Sequence, residues 1–173
     1  MSKRVSKKES WFKENSFTEK DEIYVGVDVH KCNYHVAIWH NGRIGCAYSM
    51  TSDNNKLLRD IQQVRSSLKN IVYEAGPTGY SLVRLLRSAN LPAEVVAVSK
   101  TPRMTDSSAK TDRLDCQRLA EYAAKGLLTF VAIPTEQQEA DRPGVRLRDQ
   151  VTSKRKRSRQ QGKRFSLKHS IRW

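Results

Sequence analysis

Ile23-Tyr24-Val25-Gly26-Val27-Asp28-Val29-His30 is the stretch from which the rest of the chain is read. Ile23, Val25, Val27 and Val29 fall on one face, and Tyr24, Gly26, Asp28 and His30 on the other, the two-residue period of a β-strand. An unpaired carboxylate at position 28 would cost several kcal/mol to bury, so Asp28 must sit at a cleft, accept hydrogen bonds or meet a cation. Gly26, two residues earlier on the same face, leaves space beside the strand. Moving outward, Tyr34 to His40 repeats the alternation through Val36 and Ile38. Asn41-Gly42 supplies the positive-φ residues of a tight hairpin into Ile44 to Thr51, so three antiparallel strands come first.

The period then changes. Asp53 caps a predicted helix with apolar positions Leu57, Leu58, Ile61, Val64 and Leu68, ending near Asn70. Ile71-Val72-Tyr73 reads as a short buried strand, and Gly76-Pro77-Thr78-Gly79 breaks it. Leu82, Val83, Leu85 and Leu86 mark a second helix, which stops at Asn90, and Glu94 to Val98 a fifth strand. Residues 99–110 read as a polar loop. Thr111 caps a helix from Asp112 to about Lys125, with Gly126 as its stop, and Leu128 to Ile133 is a short extended piece. From Thr135 the composition is that of a long charged helix, which Pro143-Gly144 is expected to break or kink. The order β-β-β-α-β-α-β-α specifies an α/β layer fold with a mixed five-stranded sheet, hairpins building its first three strands and helical crossovers the rest.

Charge is distributed unevenly. The 173 residues carry a net charge of +14, with 32 Lys and Arg against 18 Asp and Glu. Residues 1–22 hold 6 basic and 5 acidic side chains, and residues 23–141 hold 14 and 12. Residues 142–173 hold 12 basic residues against one acid, Asp149, in runs such as Lys154-Arg155-Lys156-Arg157 and Lys163-Arg164. Such density suits neutralisation of nucleic-acid phosphates, and the alternative is a merely solvated basic tail. Low hydrophobicity, no apolar run of about 20 residues and no apolar N-terminal stretch exclude a membrane-spanning helix and a secretory signal, so cytoplasmic residence is expected. Three cysteines without CxxC spacing argue against both a disulfide framework and a zinc knuckle.

The acids are the chemical signal. Glu74 ends the fourth strand just before a Gly-Pro turn, and strand termini in α/β sheets open into the ligand crevice. Asp112 and Asp115, three apart, share one face of the third helix. Together with Asp28 they are the oxygen-rich donor set that hard divalent cations take, and a pair of such cations suits phosphodiester cleavage. A first helical turn also attracts acids simply through its dipole, and Glu74 alone reads equally as a turn contact. Lys31, Lys110 and Arg113 flank the acids and either hold DNA phosphates or moderate the acidic charge. His30 is a candidate for proton transfer or an ordinary hydrogen-bonded residue at a strand end.

Three blocks carry a family likeness: Gly26-Val27-Asp28-Val29-His30-Lys31, Tyr73-Glu74-Ala75-Gly76-Pro77-Thr78-Gly79-Tyr80, and Lys110-Thr111-Asp112-Arg113-Leu114-Asp115 followed by Leu119-Ala120. In order and spacing they resemble the DEDD transposases of bacterial insertion sequences, the family that includes the Piv-type DNA invertases. The likeness covers roughly residues 22–135 and continues more weakly into the basic tail. It implies a RuvC-type, ribonuclease H-like domain over 23–134, after an N-terminal arm at 1–22 and before a basic helical, coiled-coil-like extension at 135–173. It implies that Asp28, Glu74, Asp112 and Asp115 are a metal-binding, catalytic tetrad, that magnesium is the ion, and that DNA is the substrate of strand cleavage and exchange in transposition. An oligomer and a structured RNA from the element are implied partners, and Lys31, Lys110, Arg113, Lys154, Arg155, Lys156, Arg157, Lys163 and Arg164 are the nucleic-acid contacts. Family members carry a further domain with a nucleophilic serine, which this sequence does not reach before Trp173, so a truncated copy is expected and no serine here is assigned as nucleophile. The alternatives are a nuclease of RuvC or ribonuclease H type, and a nucleic-acid-binding fragment without catalysis.

Overall fold

The computed structural model describes residues 7–74, 79–97 and 112–170, of which 112–114 by backbone alone. The chain divides into two compact units, Met1–Ala132 and Ile133–Trp173. The first holds a helix α1 (Lys7–Glu14), strands β1 (Ile23–Val29), β2 (Asn33–His40) and β3 (Arg43–Thr51), and helix α2 (Asn54–Gln62). Strand β4 (Leu68–Glu74), helix α3 (Ser81–Ser88), strand β5 (Ala93–Val96) and helix α4 (Asp112–Ala124) complete it. The sheet order is β3-β2-β1-β4-β5. β1 pairs antiparallel with β2, and β2 with β3. β4 lies parallel to β1 and β5 parallel to β4. This mixed five-stranded sheet with helices on both faces is the α/β architecture expected from the order of elements, and it agrees with a ribonuclease H-like fold.

Local chemistry explains most boundaries. Asn41 and Gly42 both take positive φ, 47° and 91°, as the β2–β3 hairpin requires. Asp53 accepts from the Asn55 and Lys56 amides and starts α2. Gly126, at φ 66°, follows the end of α4. Past it, Phe130 bridges Val96 antiparallel, and the Ala97 and Val131 amides donate to the Thr129 and Val95 carbonyls, so the extended piece after α4 covers the edge of β5. The expected end of α2 near Asn70 is corrected: the helix stops at Gln62, a 3₁₀ turn spans Arg65–Ser67, and Leu68 to Asn70 begin β4. Pairing with β1, which reaches down to the Ile23–Leu68 pair, outweighs the local helical spacing.

The two sheet faces are built differently. Val25, Val27, Val36, Ile38, Ile71 and Tyr73 are fully or almost fully buried on one side. There the Tyr73 hydroxyl accepts from the Val83 amide of α3, and Tyr34 donates to Asn54 at the start of α2. Lys8 of α1 meets both oxygens of the buried Asp60, at 2.9 and 3.0 Å, and Tyr48 donates to the same carboxylate. Trp11 seats against Gly45, where a Cβ would lie 2.8 Å from its ring, and stacks with Phe12, Phe17 and His40. The described part of 1–22 is therefore anchored to the sheet rather than hanging from it. The opposite face receives α4, whose Cys116 and Ala120 pack on Ala37 and whose Leu119 packs on Val72.

The second unit is dominated by one helix, α5 (Glu136–Lys168), opened by a reciprocal capping box between Thr135 and Gln138. The break expected at Pro143-Gly144 does not occur, and 33 residues run as a single helix with Pro143 inside it. A proline removes one backbone hydrogen bond, at about 3 kcal/mol. The Glu, Gln, Arg and Lys residues around it are strong helix formers, and they carry the helix across the lost bond. Among the described residues, no helix is long and apolar enough to cross a membrane.

Candidate active site

β1 and β4 are parallel neighbours, with Gly26 opposite Val72 and Val27 opposite Tyr73. One step further along both strands stand Asp28 and Glu74, at the ends of adjacent strands about 4.8 Å apart. Because side chains alternate, Asp28 shares the face of Gly26 and Glu74 that of Val72, which is the face covered by α4. Asp28 is 19% exposed and Glu74 half-buried, as carboxylates opening into a crevice must be.

The helix comes extremely close. A Cβ on Gly26 would lie 2.2 Å from the Cys116 carbonyl oxygen and 2.6 Å from the Ala120 amide nitrogen. In-register Ala37 and Ala47 prolong this small-residue floor across β2 and β3. Cys116 is thus held over Gly26, two residues from Asp28 on β1, and Asp115 is its neighbour in α4. Electrostatics agrees with this placement. Burial first, and then the Asp28 charge with a smaller part from Asp115, push the Cys116 thiol up to about 12. Both carboxylates therefore act on the same buried thiol, and the local field is negative.

Around these acids, His30 Nε2 lies 2.9 Å from Asp28 Oδ2. Arg118, one helical turn after Asp115, has a guanidinium nitrogen 4.0 Å from its carboxylate. Lys31 is exposed in the β1–β2 turn, where its carbonyl accepts from the Ser52 hydroxyl. Among the described residues, no three His, Cys, Asp or Glu side chains are close enough to hold a metal ion together. The side chains of Asp112 and Arg113, together with Lys110 and the Gly76-Pro77-Thr78 turn, lie outside the described residues. The donor chemistry nonetheless suits a hard cation, with carboxylate oxygens from two strand ends and a helix start in a negative field. Lys154, Arg155, Lys156, Arg157, Lys163 and Arg164 are all exposed on α5, in the other unit.

His35 and Ser49 belong to no motif in the sequence. β2 places His35 opposite Asp28, and β3 places Ser49 opposite His35, with 2.8 Å between Ser49 Oγ and His35 Nδ1. Counting back from the Asn41-Gly42 hairpin would have revealed this register.

A 3-2-1-4-5 mixed sheet with carboxylates at the ends of its central strands and a helix packed closely on one face is the architecture of the ribonuclease H-like class. The model of the IS110-type DEDD transposases, described as "Transposase", matches residues 25–165, and the chain belongs to that family. It is 38% identical over 153 residues to a Sinorhizobium fredii protein named as a transposase, y4qE, covering 86% of this chain and 39% of that protein. It is 30% identical over 168 residues to the transposase for insertion sequence element IS1533 of Leptospira borgpetersenii, covering 88% of this chain and 45% of that one. The chain thus spans about two fifths of the length of these curated relatives.

Proposed function

We propose that the sheet-bearing unit is the metal-dependent strand-cleaving domain of a DNA transposase that acts by site-specific recombination. What supports this reading is the position of Asp28 and Glu74 at the ends of neighbouring parallel strands, on the sheet face against which α4, the helix that carries Asp112 and Asp115, is packed. These four carboxylates would hold magnesium. When bound, the ion would polarise a phosphodiester and lower the pKa of the attacking oxygen. The chain's own residues have supporting tasks: His30 orients the Asp28 carboxylate, and Lys31 offers a cation to a phosphate at the rim. The basic residues of α5, a helix about 50 Å long, would follow a DNA backbone, and binding through them would weaken steeply with salt. A structured RNA from the element and further copies of the chain would complete the assembly.

Magnesium titration of the wild type and of Asp115→Asn, followed by melting temperature, tests the site. At a hundredfold excess over Kd the ion should stabilise the wild type by about 2.7 kcal/mol, several degrees in Tm, and Asp115→Asn much less. An equal response from both proteins would mean that these acids do not hold the ion. A labelled four-way DNA junction run in parallel separates the reactions, since joined strands indicate recombination and free ends a hydrolytic nuclease. Binding with no product at all leaves a nucleic-acid-binding module.

A further inference from the structure

Between Asn54 and Tyr73 the charged residues are Lys56, Arg59, Arg65, Lys69 and a single acid, Asp60. The acid is turned inward. It is buried in α2, where Lys8 Nζ meets its two oxygens at 2.9 and 3.0 Å and the Tyr48 hydroxyl donates to it at 3.1 Å. Its charge is therefore matched by α1 and does nothing for the four basic side chains, all of which are exposed. Among the described residues, none of those four side chains has an ion pair or a hydrogen bond. Lys56, Arg59 and Gln63, three and then four residues apart, form one outward stripe along α2, away from the buried Leu57 and Ile61. Arg65 follows in the 3₁₀ turn, and Lys69 is the residue skipped in the β1–β4 pairing, where Ile23 meets Leu68 and Tyr24 meets Asn70. α2 contacts the sheet through Tyr34 and Tyr48, whereas α4 packs on Ala37, so the basic stripe and α4 lie on opposite sheet faces.

We infer that this surface of α2 and the turn after it is a docking face for the backbone of a DNA duplex, a segment other than the one that reaches Asp28 in the same copy. The inference rests on the reading of the chain as acting on DNA and not on its metal site. Like charges one helical turn apart repel, and a surface shaped only for solubility intersperses both signs. The arm does so, at Lys13-Glu14 and Glu19-Lys20-Asp21-Glu22. On α2 the repulsion has no counterpart in the protein, and a polyanion relieves it. The class of polyanion follows from what else the surface presents. It exposes no large apolar or aromatic side chain, so it offers neither the apolar centre of a protein interface nor a platform for unstacked bases. Lysine and arginine flanked by the exposed amides of Asn55, Gln62 and Gln63 are the side chains that contact duplex phosphates and sugars without reading sequence. Strand exchange brings two DNA segments together, and a phosphate-binding face across the sheet from α4 seats the second.

The test is the salt dependence of binding to a fluorescent linear DNA duplex in magnesium-free buffer, for the full chain and two triple variants. Lys56→Gln with Arg59→Gln and Arg65→Gln removes the face. Lys13→Gln with Lys20→Gln and Arg43→Gln removes the same charge from exposed positions elsewhere in the first unit. Each lost phosphate contact lowers the slope of log K against log salt by about 0.9, so the face variant should fall about 2.7 below wild type. Between 50 and 200 mM salt the wild type should then lose roughly fortyfold more affinity than that variant. The control should stay within about one contact of the wild-type slope. Single substitutions on the face, each expected to remove about 0.9, serve if the triple variant does not fold. A slope lowered by less than about 1.5 in the face variant, or lowered as much by the control, overturns the inference. So does a loss confined to an RNA duplex of the same sequence, or a wild type that binds no DNA duplex. Neutralising Lys154, Arg155, Lys156 and Arg157 in the same assay reports on α5 separately, and failure of the metal site shows only in the magnesium titration.

Discussion

Gly26→Ala should destabilise the first unit by about 3 kcal/mol or more, the upper part of the range for overpacking, and lower its Tm by roughly 10 °C. The added methyl would meet the Cys116 carbonyl at 2.2 Å and the Ala120 amide at 2.6 Å, both backbone atoms that no rotamer change can move, with Leu119 Cβ at 3.0 Å. Relief requires α4 to lift from β1. That displacement also separates Asp115 from Asp28, so whatever protein still folds should lose its magnesium response. Gly144→Ala is the control: it lies inside α5 with no atom within 4 Å of an added Cβ, and should stabilise its helix by about 0.5–1 kcal/mol. Thermal melts of the two variants with and without magnesium decide the matter. A Gly26→Ala protein with wild-type Tm and wild-type magnesium response would show that α4 does not depend on this contact.

The same glycine shows how far the sequence could be read. Alternation in Ile23 to His30 makes the strand legible, and Asn41-Gly42, Asp53 and Gly126 announce their turns and caps because each answers a local backbone requirement. Gly26 is legible only as space beside Asp28, since what fills that space comes from ninety residues away. The start of β4 was hidden because Leu68 satisfies a helical spacing and a strand pairing equally, and only β1 chooses between them. At Pro143 the break is the part of the local signal that does not occur, because the helix formers around it continue α5. The acids were visible as residues. Where Asp28 and Glu74 stand depends on the register of β1 with β4, and where Asp115 stands on the approach of α4. His35 and Ser49 lacked any motif, and only strand pairing aligns them with Asp28.

Asp28→Asn should abolish magnesium-dependent strand cleavage while leaving the metal-free protein as stable as wild type or more so. Loss of activity by a factor of about a thousand or more is the scale expected when a charged group that stabilises the transition state is removed. The amide is nearly isosteric with the carboxylate and can still meet His30, so packing on β1 is unchanged. What disappears is a negative charge in a field already negative enough, together with burial, to push the Cys116 thiol up to about 12. Removing it should relax repulsion among the remaining acids, and the Asp28 part of the pressure on Cys116 goes with it. A site evolved to bind a cation holds charges the bare fold would rather lose, so function and metal-free stability should move in opposite directions. The checks are cleavage of the labelled junction and Tm at zero and saturating magnesium. Wild type should gain Tm with the ion, and Asp28→Asn should start level or higher and gain little. A variant that loses stability without magnesium would instead mark Asp28 as a structural hydrogen-bonding residue, and unchanged cleavage would remove it from the site.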